Sequence, residues 1–195
     1  MNYAENRAWT ELQKWIEKQG FTVFGTLKFT DGLMAGDVRA EKIVCAYFNA
    51  LDRAYFGNAV DNVGMRHKRL VFKHLGTSGT NLHYHFLAKP STDASLFSKL
   101  ARQQWAKMSS WTIGADDTKI GPVCSNKAAS SYVLHEYAKL GADCICLPAS
   151  SLNSPARNPL SYRNLAQLRR LLSLQEYVAA KFVGSEDEDN ALCWT

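Results

Sequence analysis

The chain has 195 residues, 46% of them hydrophobic and 21% charged, and a formal net charge of +5. This size and apolar content favour one domain with a substantial core, and no apolar run approaches the roughly 20 residues that a membrane span requires. Four of the 18 acidic residues lie in the segment SEDED at 185–189, so the rest of the chain is more basic and can attract phosphate backbones. Because there is no secretory signal, we expect no membrane partner and a cytoplasmic location.

The first half of the chain predicts two helices and three strands. Apolar residues at helical spacing predict a helix over 4–18, and Asp37 is expected to cap a second helix that runs to about Tyr55. Alternation of apolar and polar residues predicts a strand over 20–30, and two loops are expected at 31–37 and 57–64. Strands at 67–76 and 82–89, joined by a tight turn, form a predicted hairpin.

The second half predicts helices that alternate with short strands. One helix starts at Ser91 or Asp93, and another, over 126–141, closes at Gly141. The segments 109–123 and 143–148 are each expected to contain a strand. The expected fold class is α+β, with a central antiparallel sheet flanked by helices. Its domain covers 1–150, followed by a linker and packed helix over 151–184 and a flexible acidic tail over 185–195.

Two histidines lie two residues apart in the stretch NLHYHFLAKP at 81–90. In a strand, His83 and His85 share one face and lie about 7 Å apart, so both imidazoles can reach one cation. His74 on the preceding strand can pair opposite them if the hairpin register allows it. Three neutral imidazoles suit Mn²⁺, Zn²⁺, Co²⁺ or Ni²⁺ better than Mg²⁺, and the alternative is that these side chains are solvated or hydrogen-bonded.

A second group of polar residues lies in the segment SYVLHEYAKLG at 131–141. In one continuous helix Tyr132, His135, Glu136 and Lys139 would share a face, and Tyr137 would point elsewhere. This face is either an ordinary solvated one, with Glu136 paired to Lys139, or part of a site. In a site, Tyr132 would attack a phosphodiester that a divalent ion polarises, with positive charge from Lys139.

The five cysteines, an odd number, are typical of a reducing, intracellular compartment. Cys144 and Cys146 could bind zinc together with Cys124, but a C-x-C pair alone is a weak zinc signal. We expect the pair to be small buried residues on a strand.

In their order along the chain, three motifs resemble those of the HUH endonucleases, specifically the small replication initiators (Rep proteins) of rolling-circle plasmids and phages. FTVFGTLKFT at 21–30 resembles the first motif, LHYHFLAK at 82–89 the two-histidine motif, and YVLHEYAK at 132–139 the nucleophile motif. The resemblance covers about 20–147. Family members commonly carry lysine three residues after the tyrosine, where this chain has His135, and some carry two tyrosines four residues apart.

The resemblance implies a metal-dependent enzyme that nicks single-stranded DNA and retains the 5′ phosphate on a tyrosine. It implies a divalent metal, Mn²⁺ or Mg²⁺, held by His83, His85 and His74. The nucleophile is carried to Tyr132, with Tyr137 as the backup. The lysine role is carried to Lys139, and His135 either replaces the usual lysine or neighbours the metal.

The partners implied are single-stranded DNA, an origin hairpin and a host helicase, because the chain carries no G-x-x-x-x-G-K-[ST] motif of its own. The host would be a bacterial or archaeal cell. Basic residues near the hairpin are expected to contact phosphates, although a solvated strand entry is the alternative; they are Arg66, Lys68, Arg69, Lys73, Lys28 and Lys89.

Other functions remain open on the sequence alone. A relaxase or a single-strand transposase would use the same chemistry on a different DNA context. A nucleic-acid-binding module could keep the fold with purely structural histidines. Metal-dependent nicking distinguishes the module from the enzymes, whereas the substrate and the oligomeric state distinguish the enzymes from one another.

Overall fold

The fold was analysed in a computed structural model, which describes residues 3–152. The predicted C-terminal helix, the acidic tail and all of the linker after residue 152 lie outside the described residues. Within 3–152, no helix combines the length and the apolar character needed to cross a membrane.

The described residues form seven α-helices and four strands, with two additional turns of 3-10 helix near the end of the described chain. The helices are α1 (Tyr3–Lys18), α2 (Gly32–Ala35), α3 (Asp37–Phe56), α4 (Ala59–Val63), α5 (Ala94–Ala106), α6 (Asn126–Val133) and α7 (Tyr137–Leu140). The strands are β1 (Val23–Lys28), β2 (Lys68–His74), β3 (His83–Lys89) and β4 (Ile120–Pro122). The 3-10 turns cover Gly141–Cys144 and Leu147–Ala149.

The four strands form one antiparallel sheet in the spatial order β2-β3-β1-β4. The chain follows the β-α-β-β-α-β path of a split βαβ arrangement, with α3 and α5 as the two crossover helices. The expected α+β class, an antiparallel sheet flanked by helices, is confirmed. The predicted hairpin is confirmed as well, since β2 and β3 pair along their full lengths.

Side-chain alternation along the strands gives the sheet two buried faces. Val23, Leu27 and Phe86 pack with Tyr47 of α3 and Trp105 of α5. On the other face, a second core joins the sheet to α1 and α6; its strand members are Phe24, Leu70, Phe72 and Leu87. The three histidines alternate along their strands with residues of the core that packs against α3 and α5. They therefore lie on the other face of the sheet, the one covered by α1 and α6; they are His74, His83 and His85.

Several local predictions were wrong. Gly36, with φ +66°, caps α3, and Asp37 is the first helical residue, where its carboxylate pairs with Lys73 at 3.3 Å. The expected loops at 31–37 and 57–64 contain the short helices α2 and α4, respectively. The expected strand at 143–148 consists mainly of 3-10 turns, and only Ile145 makes a bridge, to Phe72.

Candidate metal centre

The hairpin register brings the three predicted histidines together. His74 on β2 lies directly opposite His83 on β3, and His85 is two residues farther along β3 on the same face. All three are buried, with 0%, 8% and 1% of their surfaces exposed, respectively. One nitrogen from each lies within 4.8 Å of the other two, so the three residues form a group that could hold a metal ion.

Hydrogen bonds assign the proton on two of these imidazoles. His83 Nδ1 donates to the carbonyl of Asn81 at 2.7 Å, and His74 Nε2 donates to the carbonyl of Val133 at 2.9 Å. A carbonyl only accepts, so the remaining nitrogens, Nε2 of His83 and Nδ1 of His74, carry lone pairs. The buried Nδ1 of His74 has no hydrogen-bond partner in the described structure. An orphaned buried acceptor of this kind fits a metal ligand.

The third imidazole can adopt either tautomer, because its neighbour is a hydroxyl. His85 Nδ1 lies 2.9 Å from Oγ1 of Thr26, which can donate or accept. His85 Nε2 lies 3.2 Å from His83 Nε2, which carries a lone pair, so His85 Nε2 can donate to it. If a cation were bound at His85 Nε2, the proton would have to lie on Nδ1, where Thr26 could accept it. The sequence did not single out Thr26, which reaches the site because β1 pairs with β3.

Burial keeps the three imidazoles neutral. It lowers the pKa of His74 to about 4 and that of His85 well below its usual range, and the pKa of His83 is lowered in the same direction. Neutral imidazole is the form that binds metal ions, so protons compete only weakly for this site near neutral pH.

The helix predicted over 126–141 is broken, and this break helps to build the site. α6 ends at Val133, and a tight turn separates it from α7. The amide of Tyr137 donates to Leu134, which leaves the Val133 carbonyl free to accept from His74. The expected common face of Tyr132, His135, Glu136 and Lys139 in one continuous helix was therefore wrong.

Tyr132 lies beside the histidines at the end of α6. Its ring is 5.0 Å from the ring of His85 and 5.2 Å from that of His135, measured between centroids, and it packs edge-on against Phe24. Tyr132 is 40% exposed, so a ligand in solution can reach it. The structure therefore brings the predicted nucleophile next to the predicted metal ligands.

Two of the other three predicted catalytic residues, Tyr137 and Lys139, make contacts with other parts of the fold. Tyr137 is half-buried against the core on the α1–α6 side. The Lys139 ammonium donates to the carbonyl of Gly76 in the β2–β3 turn at 3.1 Å. That Lys139 supplies positive charge to the attack by Tyr132 stays a prediction.

Glu136, which the sequence suggested would pair with Lys139, instead holds the β2–β3 turn. Its two carboxylate oxygens accept the backbone amides of Leu75 and Gly76 at 2.8 and 2.7 Å. Burial alone would raise the pKa of Glu136, but these two amides and the neighbouring histidines outweigh it, so the pKa is lowered. A charged carboxylate therefore lies next to the metal-binding group.

Two of the predicted phosphate contacts are structural arginines. Arg69 is buried, pairs with the buried Asp52 at 2.8 Å and donates to the carbonyl of Ala149. Arg66 donates to backbone carbonyls and lies 3.5 Å from the same carboxylate. The expectation that Arg69 contacts DNA was wrong, since its side chain balances a buried charge on the opposite face of the sheet.

Two of the predicted lysines are also engaged with protein groups. Lys68 donates to Gln19 at 2.7 Å, and Lys73 pairs with Asp37. Lys28 and Lys89 are exposed, and Lys28 lies opposite His83 in the register of β1 and β3. These two lysines are the predicted phosphate contacts that the structure leaves most accessible.

The cysteines do not assemble into the alternative zinc site. Cys144 belongs to the core on the α1–α6 side and Cys146 to the core on the other, whereas Cys124 is exposed. Among residues 3–152, the two groups able to hold a metal are formed by histidines and Glu136. The pair is buried as expected, although not on a strand.

Comparisons with protein-family models, curated proteins and solved structures found no match for this chain. The resemblance to the HUH endonucleases therefore depends on the three sequence motifs.

Proposed function

We propose that this protein is a metal-dependent endonuclease of the HUH type that nicks and rejoins single-stranded DNA through Tyr132. The observation that carries the proposal is the convergence of nitrogens from His74, His83 and His85 beside the ring of an exposed tyrosine. A buried group of neutral imidazoles next to a solvent-accessible phenol supplies both a cation site and a nucleophile.

The donor set favours Mn²⁺ or a similar transition metal over Mg²⁺. Imidazole nitrogen is a borderline ligand, whereas Mg²⁺ prefers oxygen. When bound, such an ion would polarise the phosphoryl oxygens and thereby favour attack on phosphorus. The protein contributes the orientation of the ligands, since carbonyls of Asn81 and Val133 fix two of the rings.

In the proposed reaction, the Tyr132 oxygen attacks phosphorus in line with the leaving group. A bond forms between the tyrosine oxygen and phosphorus, the bond from phosphorus to the 3′ oxygen breaks, and the 3′ oxygen takes up the proton that the tyrosine loses. The 5′ phosphate remains on Tyr132 as a phosphodiester, so a free 3′ hydroxyl can reverse the step and rejoin strands.

The proposed biological role is initiation of rolling-circle replication of a plasmid or phage in a bacterial or archaeal cell. Lys28 and Lys89 are the most accessible of the predicted phosphate contacts, and that part of the affinity should fall with salt. The protein would recognise an origin hairpin and depend on a host helicase for unwinding. A relaxase or a transposase would show the same covalent chemistry on other DNA, so the sequence of the nicked strand distinguishes these roles.

The test is covalent capture on a denaturing protein gel. The full-length protein is incubated with pooled single-stranded oligonucleotides from the replicon that encodes it, with Mn²⁺ or with EDTA. We expect an Mn²⁺-dependent shifted band that Tyr132→Phe abolishes and that Tyr137→Phe, the matched control, retains. Loss of the band only in Tyr137→Phe would reassign the nucleophile. Binding of the same DNA without an adduct under any divalent ion would overturn the proposal in favour of a non-catalytic binding module.

A further inference from the structure

A second group of metal-binding side chains lies against the histidine triad. His74, His135 and Glu136 each present a ligand atom within 4.8 Å of the other two. Two of these residues follow the break after α6, and the third is the last residue of β2. The group mixes two imidazoles with one carboxylate, a set that suits divalent transition metals and leaves positions open for other ligands.

His135 is oriented so that one nitrogen is available to a cation. Its Nδ1 donates to the carbonyl of Tyr132 at 2.7 Å, so Nε2 carries the lone pair. This Nε2 lies 3.8 Å from Oε1 of Glu136. The His135 side chain is 47% exposed, and an ion on this nitrogen can therefore exchange ligands with solvent.

Glu136 is held in place as metal-binding carboxylates commonly are. The amides of Leu75 and Gly76 donate to its two oxygens, which fixes the carboxylate while each oxygen keeps a further lone pair. The side chain is 7% exposed, so a buried negative charge lies at the edge of the triad.

His74 is common to both groups, and it has one nitrogen to offer. Its Nε2 is committed to the Val133 carbonyl, which leaves the orphaned Nδ1. A single lone pair binds one ion at a time, so the two groups cannot both be completed through His74. We propose that His74, His135 and Glu136 form a second, outer position for the divalent ion, alternative to the buried position formed by His74, His83 and His85.

The two positions differ in exposure and in chemistry. The buried position offers three imidazoles, whereas the outer one offers a carboxylate oxygen and opens to solvent through His135. An ion in the outer position is more accessible to a phosphate, and the oxygen ligand makes that position the better one for Mn²⁺. This inference rests on the metal centre of the proposed function.

Titration of the metal-free full-length protein with Co²⁺ tests the two positions, since the visible absorption of Co²⁺ reports its coordination. His83→Gln removes a ligand of the buried position alone, His135→Gln removes a ligand of the outer position alone, and His74→Gln affects both. We expect the wild type to bind one equivalent. His83→Gln should still bind Co²⁺ through the outer position, more weakly than the wild type and with a changed spectrum. The double variant His83→Gln/His135→Gln should then bind no better than His74→Gln.

Three results would overturn the second position. His83→Gln could bind as poorly as His74→Gln, its residual binding could survive in the double variant, or the wild type could take up a second equivalent at this site. Circular dichroism of each variant checks that the fold is retained, and the comparison of His83→Gln with the double variant reads the outer position directly. A wild type that binds neither Co²⁺ nor Mn²⁺ would remove the proposed metal centre itself, whereas a failure limited to the outer position would leave the proposed nuclease intact.

Discussion

Replacement of Thr26 by valine would test how the protein prepares His85 for a cation. The hydroxyl of Thr26 lies 2.9 Å from Nδ1 of His85, and both side chains are buried. Valine has nearly the same shape without the hydroxyl. When a cation occupies Nε2, Nδ1 must carry the proton, and in Thr26→Val that proton has no acceptor from β1.

The magnitude follows from the desolvation of that donor. A buried donor without a partner costs about 1–3 kcal/mol, and about 1.4 kcal/mol corresponds to a tenfold change in a dissociation constant. The metal-free protein loses less, because His85 can donate from Nε2 to His83 and then needs no acceptor at Nδ1. We therefore expect the dissociation constant for Co²⁺ to rise about tenfold, and the free energy of unfolding without metal to fall by about 1 kcal/mol.

Calorimetric titration with Co²⁺ near neutral pH measures this change, and Thr30→Val is the matched control. Thr30 follows β1, and its exposed hydroxyl donates to the Trp111 carbonyl at 3.3 Å, away from the histidines. The control should bind Co²⁺ as the wild type does. Equal affinity of Thr26→Val and the wild type would refute the proposed shift of the His85 proton. Equal weakening in both variants would trace the effect to the sheet instead of the hydroxyl.

Three further predictions concern the support of the fold. Both ring nitrogens of the buried His67 lack hydrogen-bond partners, and burial lowers the pKa of His67 to about 3. Below about pH 6.5 the unfolded chain therefore binds a proton at this residue that the folded protein does not bind, and the free energy of unfolding falls as the pH falls. In urea unfolding, the loss of stability between pH 7 and pH 5 should shrink by about 2 kcal/mol in His67→Phe. Arg69→Met should reduce the free energy of unfolding by about 3 kcal/mol, because the buried Asp52 loses its partner at 2.8 Å and keeps one cation, Arg66, at 3.5 Å. Gly25→Ala should cost about 1–3 kcal/mol in the same measurement, since a Cβ there would lie 2.2 Å from the Phe86 ring.

Each of these three predictions has an outcome that would contradict it. An unchanged pH dependence in His67→Phe would mean that the ring is not neutral and unpartnered in the folded protein. Wild-type stability of Arg69→Met would return this residue to the candidates for DNA contact. Gly114→Ala is the control for Gly25, because the nearest atom to its added Cβ lies 3.9 Å away, and equal effects of the two would exclude the clash.

The sequence alone indicated the hairpin and the common face of His83 and His85, and it offered His74 as a possible third ligand. Alternation in the two hairpin strands places His83 and His85 on one face, and pairing across a short turn brings His74 opposite them. The common face of His83 and His85 follows from strand geometry alone, whereas the position of His74 depends on the register that the connection between the two strands sets. The same logic predicted the α+β class from the order of helices and strands.

The surroundings of the histidines were decided by the tertiary structure. Thr26 is 59 residues from His85 and reaches it only because β1 pairs with β3. The helix that begins at Asn126 breaks where the Val133 carbonyl accepts from His74 and where Glu136 accepts from the amide of Leu75. Both partners lie outside that helix, so its own residue pattern predicted a continuous helix. The sequence around Arg69 predicted an exposed cation, but in the fold Arg69 is buried in an ion pair with Asp52. In each case a partner distant in the chain competes with the local preference, and its energy appears only once the fold has formed.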